Sequence, residues 1–251
     1  MGRLFATAAL VALGISASFS TAQATTVGID FGCGEPAGGD CVSGDAPLQD
    51  GYLGWAGTYG GSPGAVYDET RSFSSDFGAG GTFDLTVTSD AIYFRDYGSV
   101  DFNGLDNLLG DNILRNSPGS IVLEFSGLSA GSYSMESFHH DSQFGNNTVL
   151  FDIIVTDLAG TRTVASGLDT TGGASPNGIT TALYWFTVLD GGTASITFNT
   201  ATASSGNHMS INGFQLTDVA PVPLPAGVWL LLSALGGLGF AGWRRKRVET
   251  G

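Results

Sequence analysis

Three residues able to do acid–base or metal chemistry stand side by side at His139, His140 and Asp141, and the only other histidine is His208. The triplet ends a predicted strand. Adjacent residues of a strand point to opposite faces, so His139 and His140 cannot easily bind one metal ion together. A zinc site needs three or four converging ligands. A metal or catalytic role stays open, but the pattern favours a structural or sugar-contacting role near a loop.

Four aspartates recur every five residues at Asp96, Asp101, Asp106 and Asp111, with asparagines nearby. Ca²⁺ binds several oxygen ligands at once, and such a segment is rich in them. The spacing is not that of an EF-hand. Two interpretations therefore stay open, a Ca²⁺ site and a solvated acidic loop.

A glycine-rich stretch without a strand pattern carries Tyr52, Trp55, Tyr59 and Tyr67. Aromatic rings on loops can stack on the apolar faces of sugars while Asp and Asn side chains bind the hydroxyl groups. Rings that plug the end of a β-sandwich look the same in a sequence. Core packing and ligand contact, the latter at Trp55 and Tyr59, therefore both stay open.

Two motifs that mark common enzymes are missing from the sequence. It has no pairing of a Cys nucleophile with His and no phosphate-binding loop. A glycosidase needs two positioned carboxylates, and the many acidic residues do not single out a pair. We predict a non-catalytic protein, with a polysaccharide hydrolase or lyase as the weaker alternative. Ca²⁺ is the only cofactor suggested.

The formal net charge of −14 is unevenly distributed along the 251 residues. Five of the nine basic residues lie at the two ends, which leaves four arginines and 22 acidic residues between them, a net charge of −18. Such a surface repels nucleic acid, whose phosphates need cations. It suits an extracellular protein, whether the charge serves solubility alone or meets Ca²⁺.

Residues 1–24 have the three parts of a secretory signal. Arg3 supplies the positive charge, Leu4–Ile15 is an apolar run, and Ala22-Gln23-Ala24 is a cleavage site of the small-x-small type. The mature chain is therefore expected to begin near Thr25. An uncleaved anchor is the alternative, although the apolar run is short for crossing a bilayer.

The two cysteines, Cys33 and Cys41, flank a short segment rich in Gly and Asp. An even pair in an exported protein predicts a disulfide bond. In the chain-entropy model, closing so short a loop stabilises the fold by only a few kcal/mol. A metal–thiolate site is the weaker interpretation, because no histidine lies nearby in the sequence.

A membrane span is predicted near the C-terminus. Residues 226–243 are uncharged and rich in Leu, Gly and Ala. At about 1.5 Å per residue they reach roughly 27 Å as a helix, enough for a thin bilayer. Residues 244–251 form a basic tail that begins with the stop-transfer cluster Arg244, Arg245, Lys246 and Arg247, which the positive-inside rule keeps in the cytoplasm. A buried core helix fits less well, since the stretch has no polar face.

A proline-rich linker, residues 219–225, precedes the span and contributes to the motif Val222, Pro223, Leu224, Pro225 and Ala226. This motif, followed by a hydrophobic helix and an Arg-rich tail, resembles the sorting signal of the PEP-CTERM class in its VPLPA variant. The resemblance implies recognition by an exosortase-type membrane protease, cleavage near the prolines and delivery to the cell surface. Proteins with this tail often come from bacteria that make exopolysaccharide or biofilm. No Glu separates the prolines, so which sorting enzyme acts stays open.

Residues 25–218 are predicted to be all-β. Gly is frequent, with 39 residues, and turn signals such as Asp190-Gly191-Gly192 separate short apolar runs, whereas only Asn107–Arg115 suggests a short helix. The spacing favours an antiparallel two-sheet sandwich, jelly-roll-like, between the signal peptide and the C-terminal helix. The predicted strands are Thr26–Phe31, Thr82–Thr88, Ala91–Tyr97, Ser120–Phe125, Ser132–Phe138, Val149–Thr156, Thr161–Ala165, Thr180–Leu189, Ala194–Asn199 and Met209–Thr217.

Three short pieces of this domain carry a second resemblance. Ile29-Asp30-Phe31-Gly32 opens it, Leu123–Tyr133 lies in the middle with the turn Gly127-Leu128-Ser129-Ala130-Gly131-Ser132-Tyr133, and Ser210–Leu216 closes it. The order is similar to galactose-binding-like or malectin-like jelly rolls, where such a turn joins two central strands. The resemblance implies a carbohydrate-binding module more than an enzyme, although a fold does not fix a function.

These observations together predict an exported, surface-sorted, non-catalytic protein that binds extracellular polysaccharide or is embedded in a biofilm matrix. The expected partners are an exosortase-type protease, the membrane and a polysaccharide, and nucleic acid is excluded. A self-associating structural or adhesion protein is the alternative.

Overall fold

The computed structural model describes residues 24–33, 48–57, 66–75, 81–96, 102–142, 149–173, 178–203 and 207–219. Residues Ala24–Ala220 form one compact unit. The described part is all-β, as predicted, and within these ranges no helix is long and apolar enough to cross a membrane. The strands are β1 (Thr26–Cys33), β2 (Tyr52–Gly57), β3 (Tyr67–Ser74), β4 (Thr82–Ser89), β5 (Tyr93–Asp96), β6 (Asp111–Arg115), β7 (Gly119–Ser126), β8 (Gly131–Asp141), β9 (Leu150–Asp157), β10 (Gly160–Asp169), β11 (Thr171–Gly172), β12 (Thr180–Val188), β13 (Thr193–Thr200), β14 (Met209–Ile211) and β15 (Gly213–Val219).

The strands form two sheets of six strands and a smaller one of three. The first sheet has the order β11-β8-β15-β1-β2, with β12 also paired to β8, and the second has the order β10-β9-β13-β7-β4-β3. The small sheet has the order β14-β6-β5. Most pairs are antiparallel, as predicted, but β1 with β2 and β11 with β8 are parallel. A parallel pair needs a crossover connection, and the β9–β10 hairpin lies between β8 and β11 along the chain.

Both large sheets contribute to one hydrophobic core. Along β4, β9 and β13 buried side chains alternate with more exposed ones, as expected for strands with one face toward a core. Phe125 of β7 lies 5.7 Å from Phe186 of β12 and 5.6 Å from Phe214 of β15, measured between ring centroids. Because β7 belongs to the second sheet and the other two strands to the first, the contacts are consistent with the predicted sandwich. Burying each such ring contributes about 1.5–3 kcal/mol.

Asn212 marks the point where the chain passes from the small sheet to the first sheet. Its side-chain Oδ1 accepts a hydrogen bond from the backbone N–H of His140 at 2.6 Å, and its Nδ2 donates to the carbonyl of Asp111 at 2.6 Å. Its backbone N–H donates to the carbonyl of Phe138, and its own carbonyl accepts from Phe31, both at 2.9 Å. One buried amide thereby fixes the ends of β6 and β8 against β1.

The helix predicted at Asn107–Arg115 is wrong. The N–H of Leu109 donates to the carbonyl of Leu105 at 3.0 Å, which makes a single helical turn. The chain then extends as β6, which is buried throughout and pairs with β5 on one side and β14 on the other. Strand pairing and burial therefore outweigh the weak helical propensity of this segment.

Strands β2 and β3 lie where the sequence shows no strand pattern. Each is the outermost strand at one side of its sheet, β2 in the first sheet and β3 in the second. Along β3 the side chains alternate between exposed and half-buried, and only Phe73 is buried. An edge strand needs fewer apolar residues than a central one, which explains why alternation alone does not reveal it.

Candidate functional site

Trp55 lies on β2 and not on a loop, and its ring is fully buried. The indole Nε1 donates to the Tyr67 hydroxyl at 3.2 Å, and this hydroxyl donates to Glu69 Oε2 at 2.5 Å. Arg71 Nε donates to Glu69 Oε1 at 2.6 Å, and the Arg71 guanidinium covers the Trp55 ring. Burial and the Glu69 carboxylate raise the pKa of the Tyr67 hydroxyl, which stays protonated. A ring enclosed in this way has no face open to a sugar, so Trp55 matches the packing alternative, while Tyr59 lies outside the described residues.

His139 is a fully buried core residue. Its Nδ1 donates to the carbonyl of Ser210 at 2.9 Å, which leaves Nε2 as the acceptor for the Ser137 hydroxyl at 2.8 Å. Its ring centroid lies 4.6 Å from that of Phe151 and 5.4 Å from that of Phe198. Burial lowers the pKa of His139 to about 4, against a smaller opposing effect of the Ser210 carbonyl. His139 is therefore neutral at physiological pH, and both nitrogens have partners inside the fold.

His140 makes a separate set of contacts, as predicted for adjacent residues of one strand. Its Nε2 donates to the carbonyl of Gly173 at 2.9 Å, and its Nδ1 lies 3.2 Å from the Thr171 hydroxyl. Burial lowers the pKa of the His140 imidazole, while the Gly173 carbonyl and the Asp141 charge oppose this. The ring thus fastens the end of β8 to β11.

Asp141 and His208 form a buried pair at the end of β8. His208 Nδ1 and Asp141 Oδ2 are 3.0 Å apart, and both side chains are almost fully enclosed. Arg95 Nη1 lies 3.5 Å from the same His208 nitrogen. An Asp–His pair can orient a proton, but among the described residues no three His, Cys, Asp or Glu side chains converge to hold a metal ion. The contacts described for this pair join protein side chains to one another inside the fold.

The four aspartates of the predicted Ca²⁺ site are described only in part. Asp101 lies outside the described residues, and Asp96 ends β5 opposite Asp111 at the start of β6. Asp106 Oδ1 accepts a hydrogen bond from the N–H of Phe102 at 2.8 Å, a local contact typical of turns. The Ca²⁺ site, like the carboxylate geometry on which it depends, stays a prediction.

Several other predictions fall on residues that the structure does not describe. These are the signal peptide, Cys41 and hence the disulfide bond with Cys33, the sorting motif, the membrane span and the basic tail. They stay predictions.

A groove that the loop-based predictions do not include lies between β10 and β12, which we call the Trp185 groove. It has a volume of about 270 Å³. Trp185 and Leu183 are large apolar residues of the described part that remain more than half exposed, at 54% and 56%. The groove is lined by Arg162, Val164, Leu183, Tyr184 and Trp185.

Hydrogen bonds of Arg162 and Asp157 connect the strands that form this groove. Arg162 Nη1 donates to Asp157 Oδ1 at 2.6 Å, and Nη2 donates to Asp157 Oδ2 at 3.1 Å. Nη2 also donates to the backbone carbonyl of Trp185 at 2.7 Å, which ties β10 to β12. The Thr187 N–H donates to Asp157 Oδ2 at 2.8 Å. Burial alone would raise the pKa of the Asp157 carboxyl, but these hydrogen bonds outweigh it and lower that pKa.

Small polar residues continue from Trp185 across the outer face of the first sheet. Trp185 pairs in register with Ser134, Ser134 with Thr217, and Thr217 with Thr26. The hydroxyls of Thr26 and Thr217 are 2.8 Å apart. Glu136 is the register partner of Leu183 in the neighbouring row. The exposed indole therefore stands at one end of a row of short hydroxyl-bearing side chains on this face of the first sheet.

A signal for this groove is present in the sequence. Along β12 the residues Ala182, Tyr184, Phe186 and Val188 are buried, so the residues between them point outward. A Leu and a Trp at these outward positions break the rule that the solvent face of a strand is polar. A search limited to aromatic residues on predicted loops does not find Trp185, because Trp185 lies on a strand.

Comparison with known proteins gives similarity of fold only. No protein-family model matches the sequence, and no curated protein matches it. A plant receptor-like kinase, FER, is similar over 78% of this chain and 42% of its own, with 11% identity and a TM-score of 0.39. The β-glucuronidase of Bacteroides uniformis is similar over 58% of this chain and 15% of its own, with 17% identity and a TM-score of 0.38.

Carbohydrate-binding modules also occur among the similar structures. A family 35 module from Clostridium thermocellum is similar over 59% of this chain and 97% of its own, with 12% identity and a TM-score of 0.33. The chain thus spans less than half the length of the kinase and the glucuronidase, but nearly all of the module. Because these TM-scores lie below 0.5, a function for this chain has to be argued from its own residues.

Proposed function

We propose that this chain is an exported, non-catalytic protein that binds extracellular polysaccharide, and that the Trp185 groove is its binding site. The observation that carries the proposal is the exposure of the Trp185 side chain, 54%, beside a groove that also contains Arg162. Single exposed apolar residues are common, but Trp185 and Leu183 lie on the same face of one strand and line the same groove, and a contiguous exposed apolar patch is typical of a binding surface. An indole beside hydrogen-bonding groups matches a sugar, which has apolar C–H faces and a rim of hydroxyls.

The groove offers both parts of such a contact. Trp185 and Leu183 supply apolar surface, and Arg162 supplies hydrogen-bond donors. The guanidinium of Arg162 keeps Nε–H and one Nη1–H free of the bonds described above. The guanidinium of Arg162 donates to the backbone carbonyl of Trp185 and not to its side chain. The indole can therefore contact a ligand without breaking this hydrogen bond.

Export and sorting are the second part of the proposal. The secretory signal, the VPLPA motif and the basic tail would bring the domain across the membrane, where an exosortase-type protease would release it or attach it to the cell surface. A polysaccharide ligand is found in that compartment. The strongly acidic charge keeps such a domain soluble and away from nucleic acid.

Affinity electrophoresis tests the binding part. The full chain, in mild detergent, is run through gels that contain exopolysaccharide from the producing bacterium, and a binding protein is retarded. Trp185→Ala is expected to weaken retardation about tenfold or more, as for the central aromatic residue of an interface. Leu150→Ala is the matched control, because Leu150 is 49% exposed and lies outside the groove. No retardation of the unmodified chain by native exopolysaccharide, with or without Ca²⁺, overturns the proposal.

Self-association is the second candidate, because exposed apolar residues also lie beside the groove at Leu158 and Leu189, 58% and 60% exposed. Light scattering of the full chain across a hundredfold concentration range in detergent separates the two. An oligomer that Trp185→Ala dissociates, together with unchanged affinity for polysaccharide, would favour this candidate over glycan binding.

A further inference from the structure

The positive charge in the Trp185 groove is cancelled within the groove itself. Both carboxylate oxygens of Asp157 accept hydrogen bonds from the Arg162 guanidinium. The Asp157 side chain is 1% exposed, whereas that of Arg162 is 39% exposed. The face that a ligand meets therefore contains a guanidinium whose charge is matched from behind by a buried carboxylate.

Asp157 is held in this position by its own backbone contacts. Besides Arg162, it accepts hydrogen bonds from the N–H of Thr187 at 2.8 Å and from the N–H of Ala159 at 2.9 Å. Ala159 lies in the tight turn between β9 and β10, and Thr187 lies on β12. The carboxylate is thus fixed by both walls of the groove and cannot move away to leave Arg162 for an anionic ligand.

The remaining arginines between the two chain ends are not available for an anion in the groove. Arg71 pairs with Glu69, and Arg115 is buried with Asp90 as its partner. Arg95 lies beside His208 in the strand-end cluster. With a net charge of −18 between the ends, the approach of an anionic polymer is opposed at long range.

We propose that the Trp185 groove takes uncharged polysaccharide chains, and that Asp157 sets this preference by neutralising Arg162. This inference rests on the proposed function. The indole and Leu183 bind the apolar face of a neutral sugar, and the two free N–H groups of Arg162 donate to its hydroxyls. A carboxylated sugar finds no unpaired cation in the groove with which to form an ion pair, and the acidic surface of the protein repels its negative charge.

A panel of neutral glucans, galactans and mannans, each with its C6-carboxylated derivative, tests this inference in the same gels. The unmodified chain is expected to bind at least one neutral polymer, and its carboxylated form at least about tenfold more weakly. Asp157→Asn keeps the shape of the side chain and removes its charge. The variant is therefore expected to bind the carboxylated polymer more tightly than the unmodified chain does, so that its affinities for the neutral and the carboxylated polymer differ less. Asp90→Asn is the matched control, because it removes the carboxylate from another Asp–Arg pair that lies outside the groove.

Arg162→Gln provides a second variant that does not depend on the stability of Asp157→Asn. It removes the cation and leaves an amide donor, so the discrimination against carboxylated polymers is expected to persist while affinity for the neutral polymer falls a few-fold. Equal or tighter binding of the carboxylated form by the unmodified chain would overturn the inference and leave the proposed function standing. Binding to no polymer of the panel or to native exopolysaccharide would overturn both.

Discussion

The guanidinium carbon of Arg71 lies 4.9 Å from the centroid of the Trp55 ring. Glu69 holds Arg71 there, and Tyr67 links the same carboxylate to the indole N–H. The contact closes the gap between β2, at the edge of the first sheet, and β3, at the edge of the second. On the other side of the fold Arg162 closes the gap between β10 and β12 but leaves Trp185 exposed.

Replacing Arg71 by Ala is expected to lower the free energy of unfolding by about 1–2 kcal/mol. The variant loses the cation–π contact with Trp55 and the partner of Glu69, whose pair is about one-third exposed and worth little by itself. Urea denaturation of the full chain in detergent measures the change. Ser74→Ala, on an exposed position of the same strand, is the control and is expected to stay within about 0.5 kcal/mol of the unmodified chain. An equally small effect of Arg71→Ala would show that the contact does not stabilise the fold.

Replacing Gly119 by Ala is expected to be strongly destabilising. Gly119 has a φ of 135°, and a Cβ there would overlap the guanidinium of the buried Arg115. Gly160 also has a positive φ, 98°, but nothing lies within 4 Å of its Cβ position. Gly119→Ala should therefore cost about 1–3 kcal/mol more than Gly160→Ala, because only the first adds overpacking to backbone strain. Thermal unfolding of both variants gives the comparison, and equal losses would contradict the overlap with Arg115.

Stability is expected to fall as the pH decreases from 7.5 to 5.0. Burial lowers the pKa of His139 from 6.5 to about 4, so between these values the unfolded chain binds a proton that the folded chain does not. The free energy of unfolding then decreases with falling pH, by about 2 kcal/mol at pH 5.0 from this residue. Urea midpoints across the pH range measure the loss.

The variant His139→Gln separates this effect from that of other groups. Gln can still donate to the Ser210 carbonyl but does not titrate, so the variant should be less stable at pH 7.5 and lose less stability on acidification. His140, whose pKa is also lowered by burial, accounts for part of the remainder. An unchanged pH dependence in His139→Gln would show that His139 does not carry a lowered pKa.

Strands with a clear apolar alternation are predictable from the sequence, whereas the edge strands β2 and β3, which lack this alternation, are not. The strand predicted at Thr82–Thr88 is found as Thr82–Ser89, because Phe83, Leu85 and Val87 mark its buried face. In β6 the alternation is absent, since both faces of Asp111–Arg115 are buried. A segment with no exposed face has no polar–apolar period, and the choice between helix and strand then depends on partners that are distant in the sequence.

Residue type identifies candidate sites less well than position does. The chemistry of His139, His140 and Asp141 makes them candidates in the sequence, but their described partners are protein groups inside the fold. Trp185 and Arg162 are unremarkable as a sequence pair, because they lie on different strands of different sheets. Only the hydrogen bond from Arg162 to the Trp185 carbonyl brings them to one groove.

The most direct test of the account follows the Trp185 side chain while a ligand binds. In ¹H–¹⁵N spectra of the full chain in detergent, the indole N–H signals are assigned by substituting each tryptophan in turn. Titration with a neutral oligosaccharide from a polymer that binds in the gels is expected to shift the Trp185 indole signal, together with Arg162 Nε–H, and to leave the enclosed Trp55 signal in place. Saturable binding that leaves the Trp185 signal unmoved would place the ligand elsewhere and contradict the account.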